Sequence, residues 1–252
     1  MLRLPNELLL HIASNLELDK DISALAQANR RLFSCLDAFL YLHNARRSDP
    51  SARSDSSART DSSALIWAAT HGRARTALKA LKAGASDIGE ALIKSAGNSH
   101  QTLTRILLSL YNPNNPTDIG SGEIALLKAI SESHNSIVKL LVDSGKIQLD
   151  FKSETGRTPL SFAASQGSEF VVRLLLEKDT VEINSRDKYG HTPLSYTIMA
   201  GCDEIVTLLL DTGKAEINSR DNYGRSPLSL AKSRGYWSIV RLLLDSRNAT
   251  TT

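Results

Sequence analysis

The sequence is poor in cysteine and aromatic residues and has no long apolar run. Its 252 residues include only two cysteines, Cys35 and Cys202, which lie far apart and have no CxxC partner. This spacing argues against a disulfide framework and favours a reducing compartment, so we expect a cytoplasmic or nuclear protein. No apolar stretch approaches the roughly 18 residues that a membrane-spanning helix needs, so we expect no membrane partner.

The charge is also close to balanced. Lysine and arginine total 30 against 27 acidic residues, which gives a net charge of +3. Such a small excess over a chain of this length does not predict binding to nucleic acid. A glycine-rich phosphate loop, an HExxH motif and a nucleophile elbow are likewise missing. We therefore expect a protein that is not an enzyme and has no cofactor and no metal site.

What the sequence does contain is an internal repeat with a period of 34 residues. A Thr-Pro-Leu or Ser-Pro-Leu tripeptide begins at positions 158, 192 and 226, and residues 182–190 recur at 216–224 with a single change. Leu126 and Leu92 continue the same interval backward from Leu160, whereas the step from Leu65 to Leu92 is only 27 residues. The repeat is therefore a structural unit, with a shortened connection after the first copy.

Each unit has the pattern of two short antiparallel helices. Thr192 is placed to cap a helix that starts with Pro193 and ends at Gly201, and a second helix is predicted over 204–211. One unit cannot bury its own apolar face, but stacked units can. The predicted fold is thus an all-α solenoid of about six helix-turn-helix units. Their approximate bounds are 64–90, 91–123, 124–155, 156–189, 190–223 and 224–247.

These units resemble the ankyrin repeat, with its D-x-x-G-x-T-P-L-H, A-A-x-x-G and I-V-x-L-L-L motifs. The match is strong at 187–210 and 221–244, good at 156–176 and eroded over 64–143. The family histidine is replaced by Ser161, Ser195 and Ser229, which changes the expected local hydrogen bonding but not the fold. We interpret these serines as structural, because no histidine lies at a matching interval to activate them.

Residues 1–47 do not follow the 34-residue period and form a separate module of three predicted helices. Residues 48–63 contain no large apolar side chain and are predicted to be a flexible linker. A helical module of about 40 residues usually needs a partner for its apolar surface. The alternative is that these helices form a cap that docks onto the repeats.

The N-terminal module resembles the F-box, which reads L-P-x-E-L-L-x-x-I at its start. The resemblance implies docking onto a Skp-type adaptor of a cullin ubiquitin ligase through Leu4, Pro5, Leu8 and Ile12. A leucine, Leu32, stands where an aromatic residue often follows the basic pair of the motif. An F-box before ankyrin repeats is similar to an arrangement common in fungal proteins.

In ankyrin-like stacks the finger tips and first helices line a concave face, where we expect an unknown protein target to bind. Tyrosine and arginine are favoured at such interfaces, although the tyrosines could equally pack along the fingers. The predicted target-binding residues are Arg157, Lys188, Tyr189, His191, Asn222, Tyr223, Arg225 and Arg234, beside Glu154, Thr155, Gln166 and Met199.

Two histidines, His100 and His134, occupy equivalent turns of neighbouring units. Packed units are roughly 8–10 Å apart, too far for both side chains to bind one zinc ion, so we interpret them as turn residues.

The leading hypothesis is a monomeric, non-catalytic substrate receptor of an SCF-type cullin ubiquitin ligase. The alternative is a stand-alone ankyrin scaffold or transcriptional coregulator.

Overall fold

Residues 56–249 are described by the computed structural model of the chain, with side chains from 64 to 248. Every regular element in that part is an α-helix. The helices are α1 Ser56–His71, α2 Ala74–Lys82, α3 Ile88–Gly97, α4 Gln101–Leu110, α5 Ser121–Ser131, α6 Asn135–Asp143, α7 Pro159–Ser165, α8 Glu169–Leu176, α9 Pro193–Ala200, α10 Asp203–Asp211, α11 Pro227–Arg234 and α12 Trp237–Ala249.

The helices form two layers. Each odd-numbered helix packs against the even-numbered helix that follows it and against the next odd-numbered helix, while the even-numbered helices pack on one another in the same order. This is the stacking that the repeat predicts, and it confirms an all-helical solenoid. Among the described helices, none combines the length and apolarity needed to cross a membrane.

A repeated capping pattern starts and ends the inner helices of the later units. The Thr192 side chain accepts the Ser195 backbone N–H at 3.3 Å, and Pro193 follows as the first helical residue. Gly201 then ends α9 with a φ of 73°. Proline leaves no amide hydrogen unsatisfied in the first turn, and glycine adopts the left-handed conformation without strain.

Two units end their inner helices with serine instead of glycine. Ser99 and Ser133 have φ angles of 60° and 58°, close to the 73° of Gly235 at the corresponding position of the last unit. A serine in this region carries the steric strain that glycine avoids. The turn geometry is therefore imposed by the repeat and not by the local residue.

Leucines at equivalent positions form the spine of the core. Leu65, Leu92, Leu126 and Leu160 are fully buried on successive inner helices, and Leu194 is 3% exposed. The period of the sequence thus corresponds to the spacing of the core.

Lys146 connects two neighbouring units through a helix end. Its ammonium group donates to the backbone oxygens of Leu108, Ser109 and Tyr111 at 2.9, 3.2 and 2.9 Å. These carbonyls lie at the C-terminal end of α4, where backbone carbonyls have no hydrogen-bond partner within the helix and the helix dipole favours a cation.

The first helix begins earlier than the sequence predicts. Residues 56–63 belong to α1, whereas the sequence predicts a flexible linker there, and residues 48–55 of that linker lie outside the described part. Extending an existing helix adds one hydrogen bond for each residue fixed, so polar residues join it readily.

The connection from α2 to α3 spans only 83–87, against 144–158 between α6 and α7. This agrees with the shortened step of 27 residues between Leu65 and Leu92 in the sequence.

The last unit carries a charged residue at a position that belongs to the core in the preceding unit. Ile198 of α9 is fully buried. The residue one period later is Lys232 of α11, which is exposed. A charged side chain at this position suits a repeat that faces water, as terminal repeats of solenoids do.

Candidate protein-interaction surface

Three long connections project from the later units, and we call them the first, second and third fingers (residues 144–158, 177–192 and 212–226). In the second finger, the Asp187 carboxylate accepts the backbone N–H groups of Tyr189 and His191 at 2.9 and 2.8 Å. Asp221 does the same in the third finger. An Asx turn of this kind shapes the tips of the second and third fingers locally.

Backbone hydrogen bonds hold the three finger tips in register. The N–H of Lys188 donates to the carbonyl of Thr155 at 3.1 Å, and the N–H of Asn222 donates to the carbonyl of Tyr189 at 2.9 Å. The Asn222 side chain adds a bond to the Lys188 carbonyl at 2.9 Å. The tips therefore form one row and not three independent loops.

Nearer the helices, the fingers are joined by side chains. Asp150 accepts the N–H of Glu182 at 2.8 Å, and Asn184 accepts the N–H of Glu216 at 2.9 Å. Asn184 also donates to the carbonyl of Lys214 at 2.8 Å. These bonds fix the spacing of the fingers along their length.

Arg157, a predicted target-binding residue, is engaged inside the protein. Its guanidinium lies between two aromatic rings, 4.0 Å from the centroid of Phe162 and 4.2 Å from that of Tyr196. It also donates to the Ser161 carbonyl at 3.1 Å and to the Ser165 hydroxyl. Because the guanidinium contacts one ring on α7 and one on α9, Arg157 links two neighbouring units.

Tyr196 continues this contact into the second finger. Its hydroxyl donates to the Asp187 carboxylate at 2.6 Å. Burial, together with this hydrogen bond to a carboxylate, raises the pKa of Tyr196 to about 12. The phenol is thus held in its neutral form as a fixed donor.

His191 lies between the second and third fingers and is only 12% exposed. Its Nδ1 is 3.5 Å from Asp187, while its Nε2 is 3.5 Å from Asp221 and 3.3 Å from the Arg225 guanidinium. Burial alone would raise the pKa of Asp221, but bonds from the backbone and side chain of Arg225 and from the Tyr223 N–H leave it lowered. His191 therefore lies within a charged cluster that joins the two fingers.

The remaining predicted residues face solvent. Tyr189 is 51% and Tyr223 is 67% exposed, and the side chains of Lys188 and Asn222 are exposed beside them. Arg225 stacks on Tyr223 with 4.9 Å between the guanidinium carbon and the ring centroid. These five residues make the outer surface of the second and third finger tips.

Arg234 lies apart from the finger tips, at the end of α11. Its guanidinium donates to the Met199 carbonyl of α9 at 3.2 Å, although the side chain remains exposed. The predicted target-binding set thus divides into exposed tip residues, residues engaged within the stack and one residue at a helix end.

The predicted adaptor-binding residues Leu4, Pro5, Leu8 and Ile12 lie outside the described part of the chain.

The paired histidines connect neighbouring units. One ring nitrogen of His100 lies 2.9 Å from the Thr70 carbonyl, and one of His134 lies 3.1 Å from the Ala96 carbonyl. Each histidine thus bonds to the end of the preceding inner helix. Across residues 64–248, no cluster of three or more histidine, cysteine or acidic side chains could hold a metal ion.

The serines that replace the family histidine complete helix caps. The hydroxyls of Ser161 and Ser195 lie 3.2 Å from the hydroxyls of Thr158 and Thr192, and Ser229 donates to the Ser226 carbonyl at 2.8 Å. Their partners are the caps of their own helices, as their structural interpretation requires.

The D-x-x-G motif includes the finger aspartates Asp187 and Asp221, but sequence reasoning did not identify the two aromatic residues that contact Arg157. Phe162 and Tyr196 are 34 residues apart on α7 and α9, and Asp187 and Asp221 share the same spacing in the fingers. An unusual aromatic residue at the same position in consecutive units was the available signal. This recurrence shows which positions of the repeat are equivalent, but it does not show that Arg157 contacts both Phe162 and Tyr196.

Comparison with known families supports both modules. A family model described as "Ankyrin repeats (3 copies)" matches residues 92–187 and 179–252, and one described as "F-box-like" matches residues 1–46. The ankyrin matches together cover more than half of the chain. These matches confirm the two resemblances seen in the sequence. No curated protein matches the chain.

Proposed function

This chain belongs to the ankyrin-repeat family, and on that basis we propose that it is the substrate receptor of an SCF-type cullin ubiquitin ligase. The observation that carries the proposal is the presence in one chain of an F-box-like segment at 1–46 and ankyrin repeats over 92–252. Both are protein-interaction modules. A chain with two such modules is suited to bring two proteins together.

In this role the chain supplies proximity and leaves ubiquitin transfer to other subunits. Holding a target close to a reactive centre converts a bimolecular encounter into an effectively unimolecular step. No catalytic group of its own is required. We further propose that it acts as a monomer in the cytoplasm or nucleus and binds neither nucleic acid nor membranes.

The adaptor side of the proposal rests on the F-box-like segment. Leu4, Pro5, Leu8 and Ile12 match the start of the motif, and we propose that they dock onto a Skp-type adaptor. The target side rests on the finger tips. Their exposed tyrosines are held on a rigid row, and rigid aromatic residues lose little conformational entropy on binding.

The test is co-purification of the full chain with a Skp-type adaptor. The unaltered chain should retain the adaptor, whereas Leu8→Asp and Ile12→Asp should each lose it, because a carboxylate cannot enter an apolar contact without a large desolvation cost. Leu110→Asp is the matched control, since Leu110 is 48% exposed on α4. Adaptor binding that survives both N-terminal substitutions would contradict the proposal. No binding by the unaltered chain would favour an ankyrin scaffold instead.

A further inference from the structure

The outer face of α2 carries positive charges that have no partner. Arg75, Lys79 and Lys82 are spaced i, i+4 and i+7, so they lie on one side of the helix, and all three are exposed. Arg105 is exposed on α4, the helix that packs beside α2. We call these four side chains the basic stripe. None of them forms an ion pair or a side-chain hydrogen bond with the residues that the structure describes.

The positive charge of the repeats is concentrated near the start of the described part. Residues 56–117 contain seven lysine and arginine residues and three acidic residues, whereas residues 118–249 contain 16 and 17. Neither α2 nor α4 contains an acidic residue. Glu90, on α3, is already bonded to Lys94 at 3.2 Å. The basic stripe therefore produces a positive potential on this side of the solenoid.

Two later outer helices neutralise their charges internally. Lys139 and Asp143 pair on α6 at 3.1 Å, and Arg173 and Glu169 pair on α8 at 2.7 Å. Lys82 occupies the repeat position of Asp143, once the shortened step between the first two units is taken into account. The helix α2 thus has a cation where a later unit has the carboxylate that completes the pair.

The arrangement on α2 does not favour the helix itself. Arg75 and Lys79 are like charges at i and i+4, which destabilises a helix. Arg75 also lies in the first turn, where the helix dipole disfavours a cation, whereas Lys79 and Lys82 lie in the last turn, where the dipole favours them. The stability of α2 therefore does not explain Arg75, and an anionic ligand would offset the repulsion.

The side chain between the cations indicates which anionic ligand fits. Leu78 is 42% exposed and lies between Arg75 and Lys82 on the same side of α2. An apolar side chain among cations suits a protein segment that has apolar residues among its carboxylates. Neither α2 nor α4 has an aromatic residue on which a nucleic-acid base could stack. One exposed leucine on α2 is also too little apolar surface to hold a helix at a membrane.

We propose that the basic stripe, with Leu78 at its centre, binds an acidic segment of a partner protein that has apolar residues among its carboxylates. The stripe lies on the outer helices α2 and α4, whereas the finger tips belong to the later units. It is thus a further interaction surface, independent of the adaptor-binding and target-binding roles proposed above. The Leu8→Asp variant should therefore keep this binding.

The experiment measures fluorescence anisotropy of a labelled Glu-Asp-Leu-Glu-Glu-Leu-Asp-Glu peptide titrated with the full chain. One comparison peptide has glutamine and asparagine in place of the acidic residues, and another has serine in place of both leucines. Binding of the acidic peptide should be saturable and should weaken as salt is added, because exposed charges are screened. The amide peptide should not bind, and the serine peptide should bind several-fold more weakly. No saturable binding of the acidic peptide, or equal affinity for the acidic and amide peptides, would overturn the proposal.

Variants of the lysines test the stripe itself. The double variant Lys79→Gln, Lys82→Gln should weaken peptide binding about tenfold, because each exposed ion pair contributes modestly and two are removed. The matched control is Lys214→Gln, Lys232→Gln, which removes the same charge at two exposed sites elsewhere. Equal affinity in the stripe variant and the control would exclude this surface.

Arg75→Gln separates binding from a structural role. It should weaken peptide binding while the thermal midpoint stays the same or rises slightly, because it removes a like-charge repulsion. A lower midpoint with unchanged peptide affinity would assign Arg75 to the fold and overturn its place in the site.

Two further probes distinguish a protein segment from other polyanions. A DNA duplex and vesicles that contain phosphatidylserine should bind more weakly than the acidic peptide, and Leu78→Ser should weaken only the peptide. Tighter binding of either probe than of the peptide would overturn the proposal in favour of a nucleic acid or a membrane surface. Peptide affinity that is unchanged in Leu78→Ser would overturn the placement of Leu78 in the site.

Discussion

The Tyr196 hydroxyl donates to the Asp187 carboxylate across 2.6 Å and thereby joins an inner helix to the second finger. Asp187 uses its other carboxylate oxygen to hold the backbone of the finger tip. The same aspartate thus fixes the conformation of the tip and attaches the tip to the stack. Under the proposed function, target binding by the tips would depend on this attachment, since a loose finger would lose entropy on binding.

Substituting Asp187 and Tyr196 separately and together should show that their contributions to the free energy of unfolding are strongly coupled. Asp187→Asn keeps an oxygen for the backbone bonds but cannot hold the phenol as a charged acceptor, and Tyr196→Phe removes the donor. We expect a coupling energy of about 1.5–3 kcal/mol in chemical denaturation, typical of a bond to a charged group. The pair Glu154→Gln and Tyr236→Phe serves as a control for which additivity is expected. Additive effects for Asp187 and Tyr196 would show that the bond does not stabilise the fold.

Stability should fall at high pH because of the same phenol. The pKa of Tyr196 is raised to about 12 in the folded chain, against about 10 for an unfolded tyrosine. Between these values the unfolded chain releases the proton first, so the contribution of Tyr196 is complete below pH 10 and is lost toward pH 12. Burial also raises the pKa of Tyr111, so absorbance at the tyrosinate wavelength should show a late transition whose amplitude is reduced, but not abolished, in Tyr196→Phe. An unchanged late amplitude in that variant would show that Tyr196 does not contribute to the transition.

Asp221 should make the stability of the chain fall at low pH. Its pKa is lowered in the folded chain, because hydrogen bonds from Arg225 and Tyr223 outweigh the effect of burial. Its stabilising contribution is present above the pKa of an unfolded aspartate and is lost as the pH falls through the folded value. Thermal midpoints of Asp221→Asn should therefore approach those of the unaltered chain as the solution becomes acidic. Asp211→Asn, at an exposed site, should follow the unaltered chain throughout.

Ser133→Gly should stabilise the chain by about 0.5–1 kcal/mol, because serine is strained at positive φ by more than glycine loses in entropy. Ser133 has a φ of 58° at the end of its turn. The reverse exchange, Gly235→Ser, is a clean comparison because a Cβ at Gly235 meets no atom within 4 Å. It should destabilise the chain by a similar amount. Midpoints in urea that move in the same direction for both variants would contradict this explanation.

The 34-residue period is sufficient to predict the helix pairs, the caps of the later inner helices and the buried leucines. Thr192, Pro193 and Gly201 act locally, and Leu160 and Leu194 are buried by the same contacts in each unit. Such features repeat because each unit meets an identical neighbour. The start of α1 at Ser56 was not predicted, since its first residues are polar and join a helix that begins in the apolar segment.

The candidate surface was predicted less completely, for a physical reason. The sequence predicts that Arg157 and His191 bind the target, and this stays a prediction; the sequence did not reveal that Arg157 contacts Tyr196 and that His191 lies 3.5 Å from Asp221. A repeat identifies equivalent positions and does not reveal which side chains satisfy one another between units. Tyr189 and Tyr223 lie at the exposed tips, so the sequence correctly placed them on the surface while their role in binding stays a prediction.

The bonds that Asn184 makes to the third finger bear on how such a chain can lengthen. Asn184 reaches Lys214 and Glu216 of the unit that follows, and an identical side chain, Asn218, recurs one period later and is exposed. The third finger therefore carries the same side chain by which the second finger attaches its successor. A duplicated copy inserted before α11 would bring its own attachments and leave Lys232 facing water, so growth by whole units needs no compensating substitution.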